Sequence, residues 1–419
     1  MNEATVRLNE AKPLPDGWRW VRLGETLELH DSGLWGSHDP VNGISVIRSV
    51  NFRNDGRIST EDIAKIRPDT RNIEGKRLRK GDILLERSGG GPKQPVGRVV
   101  LFDLDREFYF GNFISRLRCK VGVDPNFIFL YLFSIHMAGI TLSLQDQTTG
   151  IRNLRFAEYL QLPIPLPSLP EEQKRIVAKV QESMKEVEHA RTACEEQLEA
   201  AKTLPQAYLC QVFESEEAKK WERRSLGEVL ELHDSGLWGY ENPKNGILII
   251  RSVNFRNDGR ISIDNIVRIE PNTQDTGKKK LRRGDILLER SGGGPKQPVG
   301  RVVLFDLDGE FYFGNFISRL RCKNEIESQF LFFYLFFIHM KGITLSFQDQ
   351  TTGIRNLRFG EYLQLPIPIP NLDIQNCIGL SLKDKIASAE KLKASIEKQL
   401  EAIKALPQAI LRKAFRGEL

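Results

Sequence analysis

The chain has 419 residues, of which 40% are hydrophobic and 28% are charged. At about 150 residues per domain, this length predicts two or three domains. The composition excludes collagen, low-complexity sequence and intrinsic disorder. The 61 basic and 55 acidic side chains leave a net charge of +6, which permits a polyanionic partner without requiring one.

The cysteine pattern and the N-terminus both favour the cytoplasm. The five cysteines are odd in number and none lies in a CxxC pair, so neither a disulfide framework nor a metal site is expected. Met1–Lys12 is polar, and we therefore expect no secretory signal. The longest apolar runs, Phe127–Ile135 and Phe330–Ile338, are too short for a bilayer, which needs about 20 residues. Both are interpreted as buried helices.

An internal repeat with an offset of 203 residues dominates the sequence. His30–Gly36 recurs as His233–Gly239, and roughly three-quarters of positions 30–169 match their partners. The longest stretches that recur without a change are Ile47–Ser59, Gly81–Asp105 and Gln145–Phe156. A period this long indicates a duplicated domain, because solenoid repeats are far shorter.

The differences between the two copies are concentrated in two segments. Thr60–Arg77 is polar and is interpreted as a surface loop, whereas in Val121–Ser134 one apolar residue mostly replaces another. The unchanged stretches are rich in Gly, Arg, Gln, Asn and Thr, which contact ligands more often than they fill cores. Two copies with the same contact residues should bind the same kind of ligand. A recent duplication is the alternative, and it also leaves two equal sites.

Each globular copy has the pattern of an α+β fold. Short apolar or alternating runs bounded by Gly and Pro predict strands, and in the first copy these are Ile44–Val50, Asp82–Glu86, Gly97–Phe102, Phe108–Phe110 and Ile114–Cys119. The helix at Phe127–Ile135 is expected to end near Gly139. A steady βαβ alternation is lacking, which argues against a parallel sheet.

Each copy ends in a proline-rich connector and a long helical segment. Leu162–Pro167 and Leu365–Pro370 alternate proline with apolar residues, which predicts extended chain. A single helical stripe of apolar residues follows each connector. The first stripe is Ile176, Val180, Met184, Val187, Ala190, Cys194, Leu198 and Ala201. The second is Ile378, Leu382, Ile386, Ala389, Leu392, Ile396, Leu400 and Ile403.

The two stripes have identical steps and predict an antiparallel coiled coil. Packing of each helix on its own globular copy is the alternative. Pro205 and Pro407 should end or kink the helices, and short helices at Ala207–Phe213 and Ala409–Phe415 are expected to follow. The net positive charge lies outside the long helices, where a polyanion could be bound.

The predicted fold is therefore α+β, with two globular domains separated by two long helices in an antiparallel coiled coil with a pseudo-two-fold axis. The predicted boundaries are 1–169 for the first globular domain, 170–213 for the first long helix and its short successor, 214–371 for the second globular domain and 372–419 for the second long helix and C-terminal segment.

The sequence contains partial matches to common enzyme motifs, but none is complete, and no catalytic residue is predicted. His30-Asp31-Ser32 has the residue types of a catalytic triad, but sequence neighbours point apart. Ser88–Lys93 resembles a phosphate loop, but Gln94 stands where the motif requires Ser or Thr. An imitation of a nuclease core at Pro68–Lys76 loses its acidic residues in the second copy. A methyl-donor fingerprint is also missing.

Three polar clusters in each copy suit nucleic acid instead. Arg reads guanine edges, Asn and Gln read adenine edges, and Thr and backbone groups contact phosphates. A solvated polar face is the alternative for any one residue. In the first copy the candidates are Arg48, Asn51, Arg53, Arg87, Ser88, Lys93, Gln94, Gln145, Gln147, Thr148, Thr149, Arg152 and Asn153. In the second copy they are Arg251, Asn254, Arg256, Arg290, Ser291, Lys296, Gln297, Gln348, Gln350, Thr351, Thr352, Arg355 and Asn356.

The order of domain, helix, domain and helix, together with several motifs, resembles the specificity (S) subunit of Type I restriction–modification systems. Leu14–Trp18 with Leu23-Gly24-Glu25 resembles the start of a target recognition domain, and Leu226-Gly227-Glu228 repeats it. Glu172–Ile176 resembles the entry into the first spacer helix, and Leu406–Leu419 resembles the family's C-terminal signature. The resemblance covers essentially the whole chain.

The resemblance implies a non-catalytic DNA-binding subunit in a prokaryotic cytoplasm. Two target recognition domains would read the halves of a bipartite DNA sequence, at a separation set by the coiled coil. Two modification (methyltransferase) subunits would dock around the coiled coil on the double-stranded DNA and supply S-adenosylmethionine chemistry, usually adenine-N6 methylation. The chain itself would bind no cofactor. Two restriction subunits with ATP-dependent translocation would be possible additional partners.

In one respect the chain departs from the usual family member, whose two recognition domains differ. Here they are nearly identical, so we expect a palindromic gapped target, with half-sites about 10 bp apart on one face of the duplex. The alternatives are a specificity subunit of a fused restriction–methylation enzyme, an orphan regulator, a scaffold of two protein-binding modules that does not bind DNA, and a self-sufficient nuclease or methyltransferase.

Overall fold

The computed structural model describes residues 14–70, 73–90, 95–148, 151–273, 276–293, 298–351 and 354–419. The chain divides into two compact units. Unit 1 consists of Met1–Glu195 and Lys398–Leu419, and unit 2 consists of Glu196–Glu397. Each unit therefore contains one copy of the repeat and parts of both long helical segments.

The strands of unit 1 are short and mostly antiparallel, with β4 and β9 as a parallel pair. They are β1 (Trp18–Arg22), β2 (Leu27–Ser32), β3 (Gly36–His38), β4 (Ile44–Ile47), β5 (Ala64–Pro68), β6 (Ile83–Glu86), β7 (Ser88–Gly90), β8 (Val99–Leu101), β9 (Tyr109–Phe110), β10 (Ile114–Cys119), β11 (Gln145–Thr148), β12 (Ile151–Leu154) and β13 (Pro163–Pro167). They pair in the orders β1-β13, β2-β10-β6-β8, β3-β5-β4-β9 and β11-β12-β7.

Unit 2 repeats this arrangement strand for strand. Its strands are β14 (Glu222–Ser225), β15 (Leu230–Ser235), β16 (Gly239–Glu241), β17 (Ile247–Ile250), β18 (Val267–Pro271), β19 (Ile286–Glu289), β20 (Ser291–Gly293), β21 (Val302–Leu304), β22 (Tyr312–Phe313), β23 (Ile317–Cys322), β24 (Gln348–Thr351), β25 (Ile354–Leu357) and β26 (Pro366–Ile369). They pair in the orders β14-β26, β15-β23-β19-β21, β16-β18-β17-β22 and β20-β25-β24.

The helices include the two buried helices and the two long helices that the sequence predicts. Their bounds are α1 (Pro125–Met137), α2 (Phe156–Tyr159), α3 (Pro170–Phe213), α4 (Leu226–Val229), α5 (Ser328–Met340), α6 (Phe359–Tyr362) and α7 (Leu372–Ala414). α1 begins after Asp124, whose carboxylate accepts a hydrogen bond from the backbone N–H of Asn126 at 2.8 Å, and Pro125 suits the first helical position. It ends before Gly139, which has a φ of +73°.

The prediction that Thr60–Arg77 is a surface loop is wrong in part. Ala64–Pro68 forms β5, which pairs with both β3 and β4. Along β5, Lys65 and Arg67 are exposed, and Ala64, Ile66 and Pro68 are half-buried. A five-residue alternation within a polar stretch is a weak local signal, and the strand is fixed by hydrogen bonds to its neighbours.

Of the two effects predicted for the prolines, an end to each long helix is wrong, and so are the separate short helices predicted at Ala207–Phe213 and Ala409–Phe415. α3 continues through Pro205 to Phe213, and α7 continues through Pro407 to Ala414. An internal proline costs about 3 kcal/mol through a missing hydrogen bond and a steric clash. The turns beyond each proline are anchored by buried side chains, including Leu209 in α3 and Leu411 in α7, and this burial offsets the cost.

The apolar stripes of both long helices are largely inside the structure. Val180, Cys194 and Ala201 of α3 are buried, as are Leu382 and Ile396 of α7. The stripe residues at the same step of each helix, Ala190 in α3 and Leu392 in α7, are exposed.

Each unit holds the start of one long helix against the end of the other. In unit 1, Ile176 and Val180 of α3 share a core with Leu411 of α7. In unit 2, Leu209 of α3 shares a core with Leu382 of α7. This order of contacts is antiparallel, as the stripes predict.

At the end of each long helix an aromatic side chain packs into the core of one globular unit. Phe415 packs edge-on against Phe127 and Tyr131 of α1, with ring centroids 5.2 and 5.0 Å apart. In unit 2, Phe213 packs against Phe330 and other aromatic rings of α5. The residues Leu406–Leu419, which resemble the family signature, thus complete the core of unit 1.

A buried glutamine fixes the start of each long helix. Gln173 is 1% exposed; its Nε2 donates to the carbonyl of Pro167 at 3.0 Å, and its Oε1 accepts from the backbone N–H of Asp124 at 2.8 Å. Gln375 makes the equivalent bonds in unit 2. One side chain therefore ties the proline-rich connector to the beginnings of α1 and α3.

We predict that Phe415→Ala lowers the free energy of unfolding of unit 1 by about 3–5 kcal/mol, because it empties an aromatic site in the core. Urea unfolding followed by hydrogen exchange should show lost protection in α1 and unchanged protection in α5. The exposed Leu406 of the same helix provides the control, since Leu406→Ala should change stability by about 0.5 kcal/mol or less. Equal effects of the two substitutions would contradict the assignment.

Candidate nucleic-acid interface

Two of the three polar clusters meet in one small sheet of each unit. β7, which carries Ser88, pairs with β12, which carries Arg152 and Asn153. The Ser88 hydroxyl donates to Oδ1 of Asn153 at 2.5 Å. In unit 2, Ser291 and Asn356 make the same hydrogen bond between β20 and β25. Residues that lie 65 positions apart in the sequence thus form one surface.

The third cluster reaches the same surface across an open cavity. In unit 1 this cavity has a volume of about 420 Å³, and its lining includes Arg48 after β4 and Gly89 of β7. In unit 2 a cavity of about 400 Å³ has Arg251 and Gly292 at the same positions. Each unit therefore collects all three clusters on neighbouring elements.

Asn51 and Asn254 do not reach the accessible surface, which corrects their assignment as direct DNA contacts. Asn51 is 2% exposed; its Oδ1 accepts from the backbone N–H of Arg48 at 2.9 Å, and its Nδ2 donates to the carbonyl of Asp62 at 3.2 Å. Asn254 also accepts from the backbone N–H of its arginine, Arg251, at 2.8 Å, but its Nδ2 donates to a different position of the turn, the carbonyl of Ser262, at 3.2 Å. Both amides shape the turn that presents the neighbouring arginine.

Gln145 and Gln348 also have structural hydrogen bonds. Nε2 of Gln145 donates to the carbonyls of Val96 and Thr141 at 2.8 and 3.2 Å, and Gln348 does the same in unit 2. Their Oε1 atoms are buried. In this conformation neither amide edge is free to read a base, and each glutamine anchors the start of its hairpin, β11-β12 or β24-β25.

Arg53 and Arg256 are exposed and paired with acidic side chains. Nη2 of Arg53 lies 2.9 Å from Oε2 of Glu61 and 2.8 Å from the Ser59 hydroxyl. Arg256 pairs with Asp264 at 2.9 Å. Exposed ion pairs contribute about 0–1 kcal/mol, so a phosphate could replace the carboxylate at little cost.

Arg87 and Arg290 are held by hydroxyl groups and an aromatic ring. Nη1 of Arg87 donates to the hydroxyls of Ser32 and Ser115 at 3.2 and 3.3 Å, and its guanidinium lies 5.0 Å from the ring centre of Phe156. Arg290 repeats these contacts with Ser235, Ser318 and Phe359. These partners fix the guanidinium without neutralising its charge.

The arginines of β12 and of the following turn differ in their partners. Arg155 is bound by two carboxylates, those of Asp146 at 2.8 Å and Glu158 at 2.7 Å, and these bonds raise its pKa. Arg152 has a buried Nε and makes no ion pair within the described residues. Its positive charge is therefore available to an anion in a way that the charge of Arg155 is not.

Lys93, Gln94, Thr149, Lys296, Gln297 and Thr352 lie outside the described residues. The backbones of Gln147, Thr148, Gln350 and Thr351 belong to β11 and β24, but their side chains are outside the description.

Asp31, one of the rejected triad residues, belongs to a buried ion network. Nε and Nη2 of Arg116 lie 3.0 and 2.9 Å from the two carboxylate oxygens of Asp31, and Arg116 is 1% exposed. The ammonium of Lys76 lies 2.7 Å from Oδ2 of Asp31. Arg116 also donates to the carbonyls of Gly75 and Arg77 at 2.8 and 2.9 Å. The network joins β2 and β10 to the 74–77 turn, and Asp234, Arg319 and Lys279 repeat it in unit 2.

His136 and Cys119 are held in their neutral forms by burial. Burial, with a smaller effect from the positive charge of Arg98, lowers the pKa of His136 to about 4. Burial also raises the pKa of the Cys119 thiol to about 12. Among the described residues, no three His, Cys, Asp or Glu side chains gather into a potential metal site.

Within the described part of the chain, no helix combines the length and the apolar character that crossing a bilayer requires.

The chain belongs to the Type I restriction modification DNA specificity domain family. The family model matches twice, at residues 15–199 and 218–402, once for each copy of the repeat and most of its long helix. The resemblance in the sequence motifs is thereby confirmed.

Individual relatives agree with this membership. The chain is 26% identical to the specificity subunit of the Type I restriction enzyme StySPI from Salmonella potsdam, over 98% of this chain and 91% of that protein. It is similar in fold to the crystal structure of the HsdS subunit from Thermoanaerobacter tengcongensis, with a TM-score of 0.66, 24% identity and coverage of 97% and 99%. A chain from a structural study of type I R-M complex assembly gives a TM-score of 0.72 at 24% identity, covering 97% of this chain and 100% of that one.

We predict that Asp31→Asn lowers the free energy of unfolding of unit 1 by about 3–5 kcal/mol, because it leaves the buried Arg116 charge without its counterion. Hydrogen exchange should show lost protection in β2 and β10, while β15 and β23 of unit 2 serve as an internal reference.

Asp105 provides a matched control, because its ion pair with Lys80 is on the surface. Asp105→Asn should change stability by about 1 kcal/mol or less. If both substitutions had the same small effect, the network would not be what holds β2 to β10.

Proposed function

We propose that this chain is the DNA-recognition subunit of a Type I restriction–modification complex, and that it reads a bipartite, palindromic, gapped target. Each unit contacts one half-site of double-stranded DNA. The chain performs no catalysis itself. It positions two modification subunits in the cytoplasm, which bind S-adenosylmethionine and methylate the target, and two restriction subunits join when the host makes them.

The observation that carries the proposal is the surface formed by β7, β12 and the neighbouring cavity. Both units have it: the strand residues are identical, and the cavities are lined by equivalent positions. The family match adds the expectation of DNA as the ligand. Arg48, Arg87 and Arg152 each carry a charge that the nearest described groups do not neutralise. Cations of this kind supply the electrostatic part of DNA binding and orient side chains towards base edges.

The palindrome follows from the repeat. Gln145–Phe156 and Gln348–Phe359 are identical, as are the stretches that carry the other two clusters. Two equal surfaces select equal half-sites. A palindrome requires in addition that the two surfaces read opposite strands, which pairs a half-site with its reverse complement.

The first experiment is to co-express the chain with its modification subunits and to map methylated bases in the host genome by single-molecule sequencing. We expect a gapped palindrome with methyl-adenine on both strands. A gapped motif with two unrelated halves would overturn the palindrome and keep the recognition role. An intact complex that produced no new motif would favour the scaffold instead, and activity of the purified single chain would favour an enzyme.

A pair of arginines tests the recognition surface. Arg152→Ala should weaken binding of a duplex that carries the mapped motif, by about 1–3 kcal/mol if the side chain reads a base. If it contacts a phosphate, the loss of affinity should be uniform across sequences. The slope of log affinity against log salt concentration should then become shallower by about one. Fluorescence anisotropy at several salt concentrations separates the two results.

Arg155→Ala is the matched control, since Asp146 and Glu158 already neutralise that guanidinium. It should change DNA affinity less than Arg152→Ala does. A larger loss for Arg155→Ala would place the DNA on the other side of the turn.

A further inference from the structure

The cavity beside the polar sheet has a rim of exposed apolar side chains. In unit 1 the exposed fractions are 63% for Trp35, 67% for Val50 and 45% for Phe113, and all three line the cavity. Large apolar side chains grouped on a surface mark an interaction site more often than scattered ones do.

Unit 2 has the same rim. Trp238, Val253 and Phe316 are 56%, 70% and 52% exposed, and they line the equivalent cavity. The two copies have diverged in the nearby segment Thr60–Arg77, yet they keep these three residues, whose exposure means that folding depends little on them. A ligand common to both units explains why these three positions are identical.

The position and charge of the cavity favour DNA as that ligand. The carbonyl of Phe113 accepts hydrogen bonds from the backbone N–H groups of Arg87 and Ser88, at 2.8 and 3.3 Å. The apolar rim is thereby fixed to the strand that carries the polar surface. Arg48 is exposed and lines the same cavity, so that apolar and cationic groups face one ligand.

Thymine is the base that presents an apolar group in the major groove, its C5 methyl, and aromatic or aliphatic side chains contact it there. We propose that Trp35, Val50 and Phe113 bind the methyl group of a thymine in one half-site, and that Trp238, Val253 and Phe316 bind the equivalent thymine in the other. This assignment rests on the proposed DNA-recognition function and adds a specificity contact that the polar clusters lack.

The direct test is photocross-linking of the full chain in complex with its modification subunits. The probe is a duplex with the mapped motif, in which each thymine in turn is replaced by 5-iodouracil. We expect cross-links from one thymine position of each half-site to Trp35 or Phe113 and to Trp238 or Phe316, identified by peptide mass spectrometry. Cross-links confined to residues outside the two cavities would overturn the proposal, as would a motif without thymine in its half-sites.

A thermodynamic cycle tests the same contact through affinity. Replacing the identified thymine by uracil removes one methyl group and should weaken binding by about three- to fivefold. The double substitution Trp35→Ala and Phe113→Ala should abolish that difference in the half-site read by unit 1. Trp20→Ala is the control, because Trp20 is also exposed but lies on β1 and does not line the cavity. An unchanged uracil effect in the double variant would overturn the proposal.

The outcomes separate this inference from the function on which it rests. If the unmodified complex bound no duplex at all, the recognition function would fail. If the complex bound its motif and the double variant lost only its modification subunits, the cavity would be a protein-docking site and the thymine contact would be excluded.

One rim position makes the two cavities unequal. Oε1 of Glu241 lies 3.8 Å from Nη1 of Arg251, whereas His38 occupies this position in the first copy and lines the cavity with Arg48. A carboxylate beside the arginine opposes an approaching phosphate. The structure therefore assigns the lower affinity for a half-site to unit 2.

Exchange of these two residues tests the inequality. Glu241→His should strengthen binding to the half-site read by unit 2 by about two- to fivefold, and His38→Glu should weaken the other half-site by a similar factor. Titration of the symmetric duplex against each single variant reports each effect separately. Equal affinities before and after the exchange would overturn this assignment.

Discussion

The bidentate ion pair between Asp31 and Arg116 is the contact on which the recognition surface of unit 1 depends. It joins β2 to β10 inside the domain, where Arg116 is almost fully buried. Asp31 is followed in the sequence by Ser32, whose hydroxyl accepts a hydrogen bond from Arg87, and then by Trp35 on the cavity rim. A buried arginine without its counterion would cost several kcal/mol, so the position of these groups is tied to the stability of the domain.

The same network explains how the copies diverged without losing their shape. Arg116 binds the carbonyl oxygens of Gly75 and Arg77 rather than their side chains. In unit 2, Arg319 binds the carbonyls of Lys278 and Lys280 at the same positions. Side chains of the turn are free to change as long as the backbone remains, and Lys76 and Lys279, which bind the carboxylate directly, are the residues that stayed the same.

Hydrogen-bond partners separate the polar residues of the recognition surface into two groups. The side-chain amides of Asn51 and Gln145 form hydrogen bonds with backbone atoms, and these bonds hold turns in place. Arg87 and Arg152 keep a charge that an incoming polyanion can neutralise. The first group gives the surface its shape, and the second carries the charge that we propose binds DNA.

The sequence by itself determined the duplication, the buried helices, the two long helices and the family. These depend on signals that are local or repeated, such as the stripe from Ile176 to Ala201 and the motif Leu406–Leu419. Only the tertiary structure decided the continuity of α3 through Pro205, because packing of Leu209 and Phe213 outweighs the local cost of proline. It also decided which polar residues remain available and where Trp35 meets Phe113, since partners brought together from distant parts of the chain determine both.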